Sequence, residues 1–277
     1  MDHPRALLEQ LGYRPKKRLA QHFLMDAGAA ARIARQICES PPATEDFRVL
    51  EIGAGTGQLT AALLERCKTV AAIEIDPDMI AALHSQPALS GATILQADAL
   101  TFDYAGYAAG GRWRVAGNLP YNIATPLIMQ WVEMPGGPEM IVAMVQKDVA
   151  DRFAARPGTR AYGSLSVAVQ YATSVERLFT LRPSSFYPRP KVSSTVVRLR
   201  RLPQRAVNVR DEGWFLQVVR AAFAYRRKTL ANSLSLALQI RRSDVTQTLR
   251  ELNYDTEIRG EQLALGDFAK IADALPA

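Results

Sequence analysis

The chain has 277 residues, 48% of them hydrophobic, which suffices for one sizeable core with a smaller appendage and excludes a disordered or fibrous polypeptide. Its formal charge of +7 is regional: between Arg182 and Arg250 fifteen Lys/Arg stand against three acids, leaving the remainder at −5. Such segregation fits a module for chemistry beside a surface for a polyanion, or else a solvated face of arginine-rich helices.

Met1 to Arg18 holds no apolar stretch of the kind a secretory signal needs, and no run reaches the ~18 apolar residues of a membrane span, so a cytoplasmic location is expected. Cys38 and Cys67 sit in helical-looking segments without CxxC spacing and are expected to be plain helix residues, neither disulfide nor zinc ligands. His3, His22 and His84 are scattered without a ligand pattern, so no metal is expected. Lys16-Lys17-Arg18 before Gln21-His22-Phe23-Leu24 is a basic arm running into an apolar anchor, suited to closing over a ligand and touching phosphates. By itself it would be a frayed terminus.

From Phe47 onward short β-rich runs alternate with helical ones: 48–52, 69–75, 92–95, 113–116 and 140–145. That rhythm implies an α/β domain with a parallel sheet covered by helices on both faces. Leu165–Leu181 and Val192–Arg200 then read as two strands joined by a proline-rich loop, an antiparallel pair at the sheet edge. Residues 201–211 form a charged, proline-bearing connection. Beyond it Trp214, Phe215, Val218, Val219, Ala222 and Phe223 recur at helical spacing, and further helices are expected over 229–239, 243–252 (with Ser243 as N-cap) and 265–275. The second part is therefore a small helical domain.

Gly53-x-Gly55-x-Gly57 closes the first strand and opens a helix, letting the backbone approach a ligand without Cβ interference. Glu74, twenty-one residues after Gly53 at the end of the next strand, is placed for ribose hydroxyls. The spacing is not G-x-G-x-x-G, which disfavours a dinucleotide dehydrogenase without removing it. Asp98 follows the third strand and can accept from an adenine amino group or serve as a turn aspartate. Gly117-Asn118-Leu119-Pro120-Tyr121 follows the fourth strand: an amide, a main-chain carbonyl stiffened by proline and an aromatic ring suit gripping an exocyclic base amine, and an Asn-Pro turn with a packed tyrosine is the plainer alternative. Phe186 to Val192 (FYPRPKV) places an aromatic on a proline-stiffened loop, either a second face for a flipped base or a hydrophobic plug. Arg226-Arg227-Lys228 after Phe223-Ala224-Tyr225 suits phosphates, or ends a solvated helix.

Nine segments in order, among them RLAQHFL, VLEIGAGTG, IEID, QADAL, GNLPYNIATPL, FYPRPKVSS and FAYRRKTLANSL, resemble the small-subunit ribosomal RNA adenine N6,N6-dimethyltransferases, the KsgA/RsmA family. The resemblance covers nearly the whole chain. It implies a Rossmann-like class I methyltransferase domain over 1–203 with the basic arm, and a helical RNA-binding domain over 204–277. It implies S-adenosylmethionine as donor and dimethylation of two adjacent adenosines in a hairpin near the 3′ end of 16S rRNA, on an immature small subunit; the sequence leaves the oligomeric state open, with a monomer as the default. Carried over by position, His22, Leu24, Gly53, Gly55, Glu74, Asp98 and Asn118 fall at the cofactor; Asn118, Leu119, Pro120 and Tyr121 surround the target adenine, with Phe186 as the other stacking wall. Lys16, Lys17, Arg18, Arg226, Arg227 and Lys228 are the candidate RNA contacts. The family usually has Asn at His22 and Gly at Ala20, so those two positions depart from it.

Two other classes compete. The adenine methyltransferases of large-subunit rRNA share the glycine and N-x-P-Y elements but differ in the helical domain, where Arg226 to Leu234 and Ala161-Tyr162-Gly163 look like the small-subunit enzymes. A non-catalytic assembly factor would bind RNA without saturable affinity for the donor.

Overall fold

The computed structural model describes residues 4–39 and 46–276; His3 lies outside them. By contacts the chain divides into two compact units, one running to Ala150 and resuming at Val175–Arg201, the other made of Asp151–Ser174 and the chain from Leu202 onward.

The first unit opens with helix α1 (Pro4–Gln10), a 3-10 turn at Lys17–Leu19 and the short strand β1 (Phe23–Leu24). Helix α2 (Ala27–Cys38) is capped by Asp26, whose Oδ1 accepts from the Ala29 amide at 3.0 Å. Ala30, Ile33, Ala34 and Ile37 recur at helical spacing and are fully buried, each isoleucine contributing about 2 kcal/mol of burial. Alternation then follows: β2 (Arg48–Ile52), α3 (Gln58–Leu64), β3 (Val70–Glu74), α4 (Pro77–His84), β4 (Thr93–Gln96), α5 (Tyr104–Ala109), β5 (Trp113–Asn118), α6 (Ala124–Glu133) and β6 (Met140–Gln146). Helix α7 (Lys147–Phe153) leads away from β6.

The sheet has seven strands. Two of them come from later in the chain, β7 (Thr173–Leu181) and β9 (Ser194–Arg201), and the order is β4-β3-β2-β5-β6-β9-β7. Strands β2 to β6 run parallel, and β9 joins β6 antiparallel with Met144 opposite Val196. This is the expected parallel sheet with an antiparallel edge. Val49, Leu50 and Ile52 are all buried, the near-continuous apolar run of a strand covered on both faces. From β2 the chain winds outward to β3 and β4, then returns to the other side of β2 for β5, so the winding reverses between β2 and β5. A ligand crevice is expected beyond the carboxyl ends of those strands.

The second unit packs helix α8 (Ser164–Ala172), α9 (Glu212–Ala224), α10 (Leu230–Leu238), α11 (Arg242–Glu251) and α12 (Leu265–Ala274) around Phe215, Phe268 and Tyr171. Three expectations are corrected here. Leu165 to Ala172 is helix, because Val167 and Tyr171, one turn apart, are buried together against α9; only Thr173–Leu181 is strand. The same packing gives 151–174 to the second unit, and the later crossing falls at 201/202 in place of the single expected division at 203/204. Helix α11 starts at Arg242 with Arg241 at its cap, and Ser243 Oγ donates instead to Asp244 Oδ1 at 3.0 Å.

The cysteines are also corrected. Cys38, the last residue of α2, and Cys67, just beyond α3, are joined as a disulfide with their Cα atoms 5.6 Å apart. Both belong to the core cluster in which α2 packs on α3.

Candidate active site

A cavity of about 260 Å³ opens where the winding reverses, lined by the ends of β2, β3 and β5, the turn after β4, and the segment 18–24. Gly53, Gly55 and Gly57 all have positive φ (76°, 55° and 81°), which is why the turn from β2 into α3 is built of glycine. At Gly55 space matters as well: a Cβ would lie 3.0 Å from the Phe23 ring.

Glu74, at the end of β3, is 6% exposed and accepts three main-chain amides, from Gly55 at 2.8 Å and from Ile75 and Asp76 at 2.9 Å. It therefore fixes the glycine turn to the end of the neighbouring strand. Of roughly four lone-pair positions on a carboxylate this leaves one for a ribose hydroxyl. Burial pushes its pKa up despite those amides. Glu51 beneath it is 1% exposed, accepts from Thr60 Oγ1 at 2.6 Å, and is pushed up to about 8 by burial, with the Glu74 charge adding to the shift. Asp98 lines the cavity; its Oδ1 accepts the Leu100 amide at 2.9 Å in a local turn, and Oδ2 remains for a ligand.

Asn118 ends β5. Its Nδ2 donates to the His22 main-chain carbonyl at 2.7 Å, and since a carbonyl only accepts, the amide orientation is fixed and Oδ1 is left as an acceptor. Pro120 O accepts the amides of Ile123 and Ala124 at 3.0 Å, turning the chain into α6. The Tyr121 hydroxyl meets Ser194 Oγ at 2.6 Å, and burial raises its pKa, so the phenol stays neutral. The hydroxyl is thereby anchored at one end of the ring, and one face of the ring turns toward the segment 18–24.

That face meets His22. The two rings are 5.4 Å apart at 30°, and His22 Nδ1 donates to the Pro188 carbonyl at 2.7 Å. Phe186, expected as the second stacking wall, is 2% exposed and buried in the core with Leu24 and Val196. The cause is the pairing of β1 with β8 (Phe186–Tyr187): Phe186 is opposite Leu24, and alternation along a strand turns it inward and Tyr187 outward. His22 is thus the ring that opposes Tyr121. Leu24 is a cavity-wall residue anchored in the core.

Among the basic candidates, Lys17 and Arg18 are exposed, and Arg18 borders the cavity. Lys16 Nζ instead pairs with Asp76 Oδ1 at 2.6 Å and Asp78 Oδ2 at 2.7 Å. In the second unit Arg226 donates to Glu261 at 3.2 Å and to the Arg160 carbonyl at 2.5 Å, while Arg227 and Lys228 are exposed. No cluster of potential metal ligands occurs among the described residues. None of the described helices is long and apolar enough to cross a membrane.

A turn of glycines at a reversal point, an acidic residue on the neighbouring strand and an N-L-P-Y corner describe a class I methyltransferase that acts on an amine. Residues 12–275 match the family model described as ribosomal RNA adenine dimethylase, and the chain belongs to that family. It is 41% identical over 270 residues to ribosomal RNA small subunit methyltransferase A of Magnetococcus marinus, covering 96% of this chain and 94% of that protein. The protein of the same name from Hahella chejuensis is 40% identical with the same coverage. Among solved structures, a dimethyladenosine transferase from Plasmodium falciparum superposes with a TM-score of 0.75 at 25% identity, covering 90% of this chain and 96% of that one. The 23S rRNA methyltransferase ErmE shares the fold, with a TM-score of 0.68 at 24% identity over 91% of this chain and 99% of that one.

Proposed function

We propose that this protein transfers methyl groups from S-adenosylmethionine to N6 of two adjacent adenosines in the 3′-terminal hairpin of 16S rRNA, on the immature small subunit in the cytoplasm. The observation that carries this reading is the fixed orientation of Asn118, whose Oδ1 is left as an acceptor beside the Tyr121 ring at the edge of the glycine-turn cavity.

The lone pair of an adenine amine is delocalised into the ring, so transfer needs the nitrogen made pyramidal. Asn118 Oδ1 and the Leu119 carbonyl accept the two N6 hydrogens and favour that geometry over the planar one. Pro120 stiffens the corner, and the Tyr121 ring supplies a face on which an extruded base stacks once the neighbouring His22 ring, its centroid 5.4 Å away, yields the space. The cavity fits the donor: the glycine turn offers main-chain amides, Glu74 retains one acceptor position for ribose, and Asp98 Oδ2 suits an adenine amino group. When bound, S-adenosylmethionine supplies an electrophilic methyl. The methylated nitrogen is acidic enough to lose its proton to water, so no general base is required and positioning provides most of the acceleration. Curated relatives at 38 to 41% identity carrying the small-subunit name favour 16S over 23S rRNA as the substrate.

The test is incubation of the protein and S-adenosylmethionine with small subunits lacking these methylations, then digestion of the rRNA and mass spectrometry. N6,N6-dimethyladenosine at two adjacent hairpin positions is the expected result. Subunit binding without methylation would make the chain an assembly factor.

A further inference from the structure

The segment bordering the cavity is tied down by a carboxylate that no part of the reaction uses. Asp76 is 1% exposed. Its Oδ1 receives Lys16 Nζ at 2.6 Å and the Asp78 amide at 3.1 Å; its Oδ2 receives Gln21 Nε2 at 3.0 Å and lies 2.5 Å from the Tyr13 hydroxyl. The partners are joined among themselves, since Gln21 Oε1 accepts the Lys16 amide at 2.8 Å and lies 2.8 Å from the same hydroxyl. A loop from Tyr13 to Gln21 is therefore closed on itself and fastened to a residue about sixty positions away in sequence.

The fastened segment has a defined place. Between the two anchors run the 3-10 turn and Ala20, followed directly by His22, Phe23 and Leu24; residues 18 to 24 all border the cavity. The Phe23 ring stands edge-on to Tyr13 with centroids 6.0 Å apart, and it touches the space a side chain at Gly55 would fill. At its far end the segment is held by the pairing of β1 with β8. Asp76 is itself joined to the cavity floor, because its amide donates to Glu74 Oε1, and Glu74 holds Gly55.

Resting on the reading of this cavity as the donor site, we propose that Asp76, Tyr13, Lys16 and Gln21 form a latch that holds segment 17–24 closed across it. Tyr13 and Lys16 are then positioning residues that set how long the donor stays, and Lys16 is not an RNA contact. Opening the segment requires exposing a buried carboxylate together with its cation, so the latch opens as a unit.

The experiment uses the full chain with Tyr13→Phe, Lys16→Met and Lys16→Arg. Hydrogen exchange is read without any donor, and binding is measured with S-adenosylhomocysteine. In Tyr13→Phe and Lys16→Met the amides of 17–24 should exchange at least tenfold faster while those of β2 and β5 stay protected. The dissociation rate of S-adenosylhomocysteine should rise about tenfold in both. For Tyr13→Phe the KM for S-adenosylmethionine should rise by a similar factor with kcat within twofold. Lys16→Arg, which can still reach both Asp76 and Asp78, should restore the wild-type values. Unchanged exchange and affinity in both disrupting variants, with the wild type binding normally, would overturn the latch. So would a Lys16→Met effect confined to the KM for small subunits. Failure of the wild type to bind S-adenosylhomocysteine would instead overturn the donor reading, and the exchange measurement would still decide whether the segment is latched.

Discussion

Asn118 and His22, ninety-six residues apart, are joined by a hydrogen bond of 2.7 Å from the side-chain amide of one to the main-chain carbonyl of the other. The bond does two things at once. It fixes which atom of Asn118 is left as an acceptor at the cavity, and it holds the segment carrying the His22 ring against the corner that carries Tyr121.

Asn118→Ala should lower kcat by about 10²- to 10³-fold, the usual effect of removing one oriented group that acts in the transition state. Binding of small subunits should stay within a few fold, as measured by filter retention. Asn118→Asp is the sharper variant: it keeps an acceptor but sets a carboxylate oxygen against the His22 carbonyl, so it should be as inactive as alanine and should also weaken donor binding. Substantial turnover by the alanine variant would remove Asn118 from the proposed acceptor role, and substantial turnover by Asn118→Asp would show that the bond to the His22 carbonyl is not needed.

The sheet and half of this site were legible in the sequence because both are local. A buried strand, a glycine turn and an acid at the next strand end, as in Val49 to Gly57 and Glu74, are fixed by apolar runs and turn chemistry within a few residues. What escaped depends on distant partners. Which of Phe186 and Tyr187 turns inward follows from pairing with β1, about 160 residues earlier, and a shift of one residue reverses it. The strand-like run at 165–172 becomes helix because its apolar residues meet α9. The Cys38–Cys67 pair needs α2 to lie on α3, and the partner of Lys16 is some sixty residues ahead. No spacing rule encodes either.

Ala20 adopts the left-handed conformation, with φ 48° and ψ 36°, at the end of the 3-10 turn, where the family usually has glycine. A side chain there costs about 1 kcal/mol, partly offset because alanine also restricts the unfolded chain. Ala20→Gly should therefore be neutral to slightly stabilising, and Ala20→Val should destabilise by about 2 kcal/mol or more. Urea unfolding of the two variants checks the order; equal stability would mean that the turn relaxes.

The Cys38–Cys67 bond closes a loop of 29 positions in sequence, for which the loss of unfolded-chain entropy corresponds to about 3.6 kcal/mol. The Cys38→Ser/Cys67→Ser double variant should melt several degrees lower than the oxidised protein and coincide with the reduced one. Thiol labelling under denaturing conditions should find no free cysteine before reduction and two after. A double variant as stable as the oxidised protein would show that the packing of α2 on α3 suffices without the bond.

Glu51 offers a prediction with a definite sign. Its carboxyl is pushed up to about 8 in the folded protein by burial, against an ordinary value near 4.5 in the unfolded chain. Between those two values the folded state holds a proton that the unfolded state has released, so stability is highest below the lower one and falls as pH rises toward about 8. The full loss is on the order of 5 kcal/mol for a shift of this size, and above pH 8 the dependence flattens. Glu51→Gln keeps an acceptor for Thr60 and has nothing to ionise; its denaturation free energy should vary much less between pH 5 and pH 8 and exceed that of the wild type at the upper end. Identical pH profiles for the two proteins would place the Glu51 carboxylate, ionised, in contact with water that penetrates the cavity floor.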